Sequence, residues 1–190
     1  MSMHRPTDQP GIYFITFTCY RWLPLIEQTN SYDLVYNWFD ILRKQGHCIT
    51  AYVIMHNHLH CLLYFNAGEQ SLNTMIGNGK RFMAYEIVNR LKAAGSGKLL
   101  VELQRAVKEA DHSRGKKHEV WKRGFDIKEC RTEQFIMQKL VYIHNNPCAG
   151  KWKLAEDILR YPYSSASFYI SGKNGKYEVR DYREFMKFEE

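Results

Sequence analysis

The chain has 190 residues, of which 45% are hydrophobic and 14% aromatic, so it can form a substantial core and is not a wholly disordered polymer. Lysine and arginine outnumber aspartate and glutamate by 27 to 20, giving a net charge of +7. That charge favours a polyanionic partner such as nucleic acid, although a merely basic protein shows the same balance. No apolar run approaches the roughly 18 residues of a membrane-spanning helix, which excludes an integral helical membrane protein.

The cysteines indicate a reducing compartment. They are odd in number, far apart and without a C-x-x-C pair, at Cys19, Cys48, Cys61, Cys130 and Cys148. This pattern predicts free thiols rather than a disulfide framework or a zinc knuckle. The first residues, MSMHRPTDQP, lack the apolar centre of a signal peptide. We therefore expect a cytoplasmic protein.

The first half of the chain predicts alternating strands and helices. Residues 11–20, GIYFITFTCY, predict a strand with Tyr13, Ile15, Phe17 and Cys19 on one face. Residues 30–46 predict a helix that begins at Asn30 or Ser31 and ends at Gly46. Residues 47–55 and 58–65 predict a hairpin of two strands. Residues 71–92 predict a helix that opens at Ser71 and is weakened by Gly77 and Gly79.

The second half is less regular. Residues 93–118 mix glycine and charge and predict a flexible basic excursion, with a short helical pattern inside it. Residues 120–127 fit a strand or an irregular segment, and residues 132–146 predict a third helix that ends before Pro147. A C-terminal extension begins near residue 151. The order of elements predicts one α+β domain, a ferredoxin-like antiparallel sheet with helices packed on one face.

Histidines alternate in HNHLHCLLYF, residues 56–65. In a strand, His58 and His60 point to the same side, about 6–7 Å apart, while Leu59, Cys61 and Leu63 point to the other. Two imidazoles at that separation can share a divalent cation, but a metal site needs a third ligand or a bound substrate. An isolated pair of this kind also fits two half-buried histidines with ordinary hydrogen bonds.

The third predicted helix offers two further polar groups. Tyr142 and Asn146 are four residues apart and therefore lie on one helix face, one turn from each other. Taken alone, they fit a packing aromatic and a helix cap before Pro147. Taken with the histidine pair, they suggest a metal held by His58, His60 and the Asn146 amide oxygen, beside a phenol that can attack a phosphate.

The sequence resembles the single-tyrosine HUH transposases, and most closely the REP-associated tyrosine transposases. The matching segments are collinear: GIYFITFTCYRW, AYVIMHNHLHCLLYF, VWKRGFD, LVYIHNNPCAGKW and RYPYSSASFY. The resemblance implies a ferredoxin-like fold and a metal-dependent endonuclease and strand transferase acting on single-stranded, hairpin-containing DNA. It implies His58, His60 and Asn146 as ligands of Mg²⁺ or Mn²⁺, although two imidazoles would also accept zinc. It implies Tyr142 as the nucleophile of a 5′-phosphotyrosine intermediate, and it admits a homodimer.

One residue departs from the family pattern. The family usually has proline where His56 stands, so the turn lacks a rigid element. His56 then fits a tolerated turn residue, a fourth ligand or a phosphate contact.

Basic residues beside aromatic ones suit single-stranded DNA, because phosphates meet charge and bases stack on rings. The candidates for DNA binding are Lys80, Arg81, Lys116, Lys117, Lys122 and Arg123. Tyr161, Tyr163 and Tyr169 fit either base stacking or packing of the C-terminal segment.

Two other functions fit the same residues. A hydrolytic metal-dependent nuclease would use the histidine pair without Tyr142. A nucleic-acid-binding module without catalysis would use only the basic and aromatic surface.

Overall fold

The structure is a computed structural model that describes residues 9–66, 68 and 70–186. Its four strands are β1 (Gly11–Thr18), β2 (Cys48–Ile54), β3 (His58–Phe65) and β4 (Asp126–Glu129). Its α-helices are α1 (Leu25–Gln28), α2 (Tyr32–Lys44), α3 (Leu72–Ala93), α4 (Gly97–Arg105), α5 (Glu109–His112), α6 (Glu133–Asn145) and α7 (Ala166–Ser171). Most of the predicted bounds agree to within two residues, and the uncertain segment 120–127 contributes only the start of β4.

The strands form one antiparallel sheet in the order β2-β3-β1-β4. The two central strands, β1 and β3, pair along their whole length, from Gly11 opposite Phe65 to Thr18 opposite His58. This strand order and the connections through α2 and α3 are those of a ferredoxin-like fold. The predicted α+β class is therefore confirmed.

One face of the sheet carries the larger core. Ile15, Phe17 and Leu59 are buried there against Val35 and Trp38 of α2, and α3 packs on the same face. Helix α3 begins as predicted at Ser71, whose hydroxyl accepts a hydrogen bond from the Thr74 amide at 3.3 Å. The cap satisfies a backbone group that the first helical turn leaves unpaired.

Helix α6 lies against the opposite face. Ile136, Leu140 and Ile143 are buried in a second core with Phe14 and Leu62 of the sheet. The sequence predicts helices on one face of the sheet, and α2 and α3 lie there. Helix α6 packs on the other face and forms a third layer. Even-numbered residues of β3 point toward α6, because side chains alternate along a strand. His58, His60 and α6 therefore share one side of the sheet.

The C-terminal segment packs along β2. Tyr161 and Tyr169 donate hydrogen bonds to the carbonyl oxygens of Ile54 and Thr50, both at 2.8 Å, and Tyr163 stacks on Tyr32 with ring centroids 3.5 Å apart. These contacts favour packing over base stacking for the three tyrosines. Within residues 93–118 the chain forms α4 and α5, and Leu103 is fully buried.

All five cysteines are free thiols, as predicted. Over the described residues, every helix is too short or too polar to span a lipid bilayer. The N-terminal stretch from which we expected no signal peptide lies mostly outside the described residues.

Candidate active site

The histidine pair lies at the start of β3, next to β1. Pairing places Thr18 opposite His58 and Thr16 opposite His60. The two imidazole centroids are 4.7 Å apart with planes at 77°, and each residue is about 5% exposed. The strand thus brings both rings to one side of the sheet, as the alternation of side chains predicts.

Hydrogen bonds fix the orientation of both rings. His58 Nδ1 lies 2.6 Å from Asn57 Oδ1, while Asn57 Nδ2 donates to the Trp22 carbonyl oxygen at 2.9 Å. Because Asn57 Oδ1 can only accept, His58 carries its proton on Nδ1 and leaves Nε2 with a free lone pair. His60 Nδ1 lies 2.6 Å from Thr16 Oγ1, which leaves His60 Nε2 facing α6.

Helix α6 brings Tyr142 to the same place. The Tyr142 hydroxyl lies 3.5 Å from His60 Nε2, and its ring packs edge-on against Phe14 and His60. The side chain is nevertheless 49% exposed. The hydroxyl is therefore held beside the histidine pair on a side chain that is half exposed.

Asn146 completes the group from the end of α6. Its Oδ1 lies 3.2 Å from His58 Nε2. With the Asn57 hydrogen bond placing the proton of His58 on Nδ1, these two atoms are both acceptors and point at each other. The converging lone pairs of His58 Nε2 and Asn146 Oδ1 fit a cation bound by both atoms. Without a cation, the Asn146 amide can turn so that its NH₂ group donates to the His58 ring.

The chemistry of the donors also fits a divalent cation. Burial lowers the pKa of His58 to about 4, and burial, His58 and Lys139 lower the pKa of His60 well below its usual value. Both imidazoles are therefore neutral at physiological pH, the form that binds metals. Among the described residues, no three His, Cys, Asp or Glu side chains cluster as a metal site. The group that lies next to the histidine pair as a further oxygen donor is the amide of Asn146.

The group opens into a cleft of about 590 Å³. We name it the catalytic cleft. Besides the predicted nucleophile and the three predicted metal ligands, its walls include Thr16, Trp22, Lys122, Asp126, Lys139 and Trp152. Sequence reasoning did not select Trp22, Asn57 or Lys139. The sequence could have indicated Lys139, because a residue three positions before Tyr142 lies on the same face of a helix. The contact of Asn57 with Trp22 joins residues 35 positions apart, and only the fold reveals it.

His56 lies in the turn between β2 and β3 and is 4% exposed. Its ring packs against Trp152, with centroids 4.4 Å apart at 67°. Its backbone carbonyl accepts hydrogen bonds from the amides of Ile26 and Glu27, at 3.1 and 3.3 Å. These contacts favour the interpretation of His56 as a turn residue that supports the wall of the cleft.

The predicted DNA-binding residues line a second cleft, of about 910 Å³, between α3 and residues 111–124, which we name the basic cleft. It carries two acidic side chains, Asp111 and Glu119, and eight basic ones: Lys80, Arg81, Lys92, Arg114, Lys116, Lys117, Lys122 and Arg123. Lys122 lines both clefts, so they adjoin one another.

Three of the predicted DNA-binding residues are engaged within the protein: Lys80, Arg123 and Lys116, whose Nζ lies 2.6 Å from Glu119 Oε1. Lys80 is 9% exposed, its ammonium donates to the Gly124 carbonyl, and burial lowers its pKa to about 8. Arg123 pairs with Asp111, and its Nε lies 3.8 Å from Glu119 Oε2. Arg81, Lys117 and Lys122 are exposed and are better disposed to contact a phosphate.

The fold and the site define a class: a ferredoxin-like α+β domain in which a histidine pair on β3 meets a tyrosine from a helix on the same side of the sheet. No protein-family model and no curated protein matches the sequence. Among solved structures, the chain is similar to a REP-associated tyrosine transposase bound to a REP hairpin. The TM-score is 0.58 at 18% identity, over 99% of each chain. This similarity shows the fold, and it confirms the structural resemblance that the sequence motifs predict.

A second solved structure has a lower similarity. It is a protein of Deinococcus radiodurans R1 assigned as a transposase. The TM-score is 0.39 at 16% identity, over 76% of this chain and 97% of that one.

Proposed function

We propose that this protein is a tyrosine transposase that nicks single-stranded DNA and transfers the cut strand through a covalent 5′-phosphotyrosine intermediate. The observation that carries the proposal is the convergence of Tyr142, His58, His60 and Asn146 in one open cleft. Packing of a hydrophobic core does not require a half-exposed tyrosine beside two neutral imidazoles and an amide. Nucleophilic attack on a phosphate does require a hydroxyl next to groups that can bind a cation and a phosphate oxygen.

In the proposed reaction the Tyr142 hydroxyl oxygen attacks the phosphorus of one phosphodiester. The new P–O bond joins the phosphate to Tyr142, and the bond from phosphorus to the 3′-oxygen breaks. The phenol proton passes to the solvent of the open cleft, and the departing oxygen takes a proton from the same solvent. The products are a 5′-phosphotyrosine and a free 3′-hydroxyl, which can later attack the phosphotyrosine and release the enzyme.

His58, His60 and Asn146 would hold a Mg²⁺ or Mn²⁺ ion. When bound, the ion would supply Lewis-acid polarisation of the phosphate, which makes the phosphorus more reactive toward the weakly nucleophilic phenol. Asn57 and Thr16 hold the imidazoles in the orientation that binding needs. Histidine also accepts zinc, so the ion is identified by titration with each metal in turn.

We propose hairpin-containing DNA as the substrate. The structurally similar transposase was solved with a REP hairpin, and the basic cleft here adjoins the catalytic cleft at Lys122. A duplex stem would lie against the basic cleft, where Arg81 and Lys117 neutralise phosphates. The single strand beside the stem would then enter the cleft that holds Tyr142.

The test is an adduct assay with hairpin DNA that has single-stranded flanks, labelled at one end, in Mn²⁺ or in EDTA. The wild type should give an adduct that survives denaturation with 3′-labelled DNA, because the 3′ fragment stays attached to Tyr142. With 5′-labelled DNA it should release a free fragment. Tyr142→Phe should reduce the adduct to background, since it removes the attacking oxygen at nearly constant volume, and EDTA should do the same.

Tyr64→Phe is the matched control, because it removes a phenol oxygen at the far end of β3. It should form adduct like the wild type. Equal cleavage by the wild type and Tyr142→Phe, without an adduct, would replace the proposal with a hydrolytic nuclease. Salt-sensitive binding without cleavage of any hairpin tested would favour a binding module.

A further inference from the structure

Trp22 has an unusual backbone for its size. It has φ 60° and follows Arg21 with φ 49°, so two consecutive side-chain-bearing residues are in the left-handed region. That region is energetically unfavourable for such residues, and they persist there only where neighbouring contacts enforce it. The indole is 46% exposed at the wall of the catalytic cleft. An exposed side chain does not compensate that cost by burial.

One of the contacts that hold this backbone also lies in the catalytic site. Asn57 Nδ2 donates to the Trp22 carbonyl oxygen at 2.9 Å, and Asn57 Oδ1 accepts from His58 Nδ1 at 2.6 Å. Asn57 is fully buried. One buried amide therefore connects the backbone of Trp22 to the ring of His58.

Trp22 also fits a simpler role as a cover for His58. The two rings meet edge to face, with centroids 5.4 Å apart at 80°. In that geometry His58 covers at most one face of the indole, and the exposure of Trp22 shows that much of the ring contacts solvent. A cover would not need this exposed surface, whereas a stacking partner does.

We propose that Trp22 is a stacking platform for a single nucleobase next to the phosphate that Tyr142 attacks. The inference rests on the proposed function and names the base-recognition element of that site. Single-stranded DNA presents both phosphates and flat bases, and aromatic side chains bind successive bases by stacking. A ring fixed beside His58 would set which phosphate of the strand reaches the histidine pair.

The test is a thermodynamic cycle between Trp22 and the DNA. Tyr142→Phe is the background, so that no cleavage occurs, and binding is measured for Trp22, Trp22→Phe and Trp22→Leu. The probes are hairpins with single-stranded flanks, and each carries one abasic site at a different flank position. Trp22→Leu should weaken binding to intact DNA about tenfold to a hundredfold, and Trp22→Phe should weaken it less because it keeps an aromatic face.

At one flank position, the abasic site should weaken DNA binding by the protein that retains Trp22. It should leave binding by the Trp22→Leu variant unchanged, because that variant has already lost the stacking contact. Equal affinities for Trp22 and Trp22→Leu, or a loss with no dependence on any abasic position, would overturn the inference. Thermal melting of each variant identifies a purely structural role, which would lower the melting temperature. Ile170→Ala, an exposed apolar residue on α7, controls for lost apolar surface and should bind like the background.

The wild-type adduct assay separates this inference from the proposed function. If the wild type forms adduct and the cycle shows no coupling, only the role of Trp22 fails. If no adduct forms, the proposed chemistry fails, and the binding cycle still decides whether Trp22 stacks on a base.

Discussion

At the residue scale, Lys139 is the charged group nearest the proposed nucleophile on its own helix. It lies one turn before Tyr142, and its ammonium is 4.9 Å from the centroid of Phe14 and 5.9 Å from that of Tyr142. Its charge is one cause of the lowered pKa of His60. A cation held over aromatic rings at the wall of the cleft can neutralise a phosphate that enters it.

We expect Lys139→Met to slow adduct formation about tenfold while hairpin binding weakens less. Removing one charge near a phosphate in an open, partly screened cleft corresponds to about 1–2 kcal/mol. Single-turnover rates at saturating DNA separate this effect from binding. Lys139→Arg, which keeps the charge, should retain most of the rate, and equal rates for the Met variant and the wild type would show that Lys139 acts only in packing.

At the element scale, two glycines in α3 have opposite surroundings. A Cβ built on Gly79 would lie 2.3 Å from Trp38 Nε1 and 2.8 Å from Cε2, whereas a Cβ on Gly77 would have nothing within 4 Å. Glycine weakens a helix by roughly 0.5–1 kcal/mol relative to alanine. The sequence predicts only this general weakening, while the fold shows that Gly79 allows α3 to approach α2.

The pair gives a matched test of that approach. Gly77→Ala should stabilise the protein by about 0.5–1 kcal/mol through helix propensity. Gly79→Ala should destabilise it by roughly 1–3 kcal/mol, because Trp38 is only 4% exposed and must shift within a packed core. Urea unfolding of both variants measures the difference. Equal stabilisation by both substitutions would mean that the Trp38 side chain can move aside without an energetic cost.

At the scale of the whole molecule, burial of neutral histidines makes stability depend on pH. Burial lowers the pKa of both His58 and His144 to about 4, and the pKa of His60 falls well below its usual value. His144 is held inside by its contact with Ser165 Oγ at 3.0 Å. Below the unfolded-state pKa of about 6.5, the unfolded chain binds protons that the folded chain does not, so folding is disfavoured.

We therefore expect the buried histidines to make the free energy of unfolding fall as the pH decreases from about 6.5 to 4. At pH 5 each of His58 and His144 should account for a loss of about 2 kcal/mol. Urea unfolding from pH 8 to pH 5 checks the slope before most carboxylates titrate. His144→Gln should reduce the slope, and stability that is unchanged from pH 7 to pH 5 would contradict the prediction.

The sequence by itself determined the first three strands, the main helices and the grouping of His58 with His60 and of Tyr142 with Asn146, whereas β4 was left open. These features depend on periods of two and about 3.6 residues, which are local properties of the chain. The motifs also predicted the fold that the similar transposase shares.

Only the tertiary structure decided which side of the sheet α6 covers. The position of α6 brings Tyr142 and Asn146 next to His58 and His60. The tertiary structure also decided that Lys80 is buried, that the C-terminal tyrosines pack on β2, and that Asn57 joins Trp22 to His58. These are contacts between residues far apart in sequence or between elements whose packing has no periodic signal. They depend on how the layers pack, which no local pattern of residues specifies.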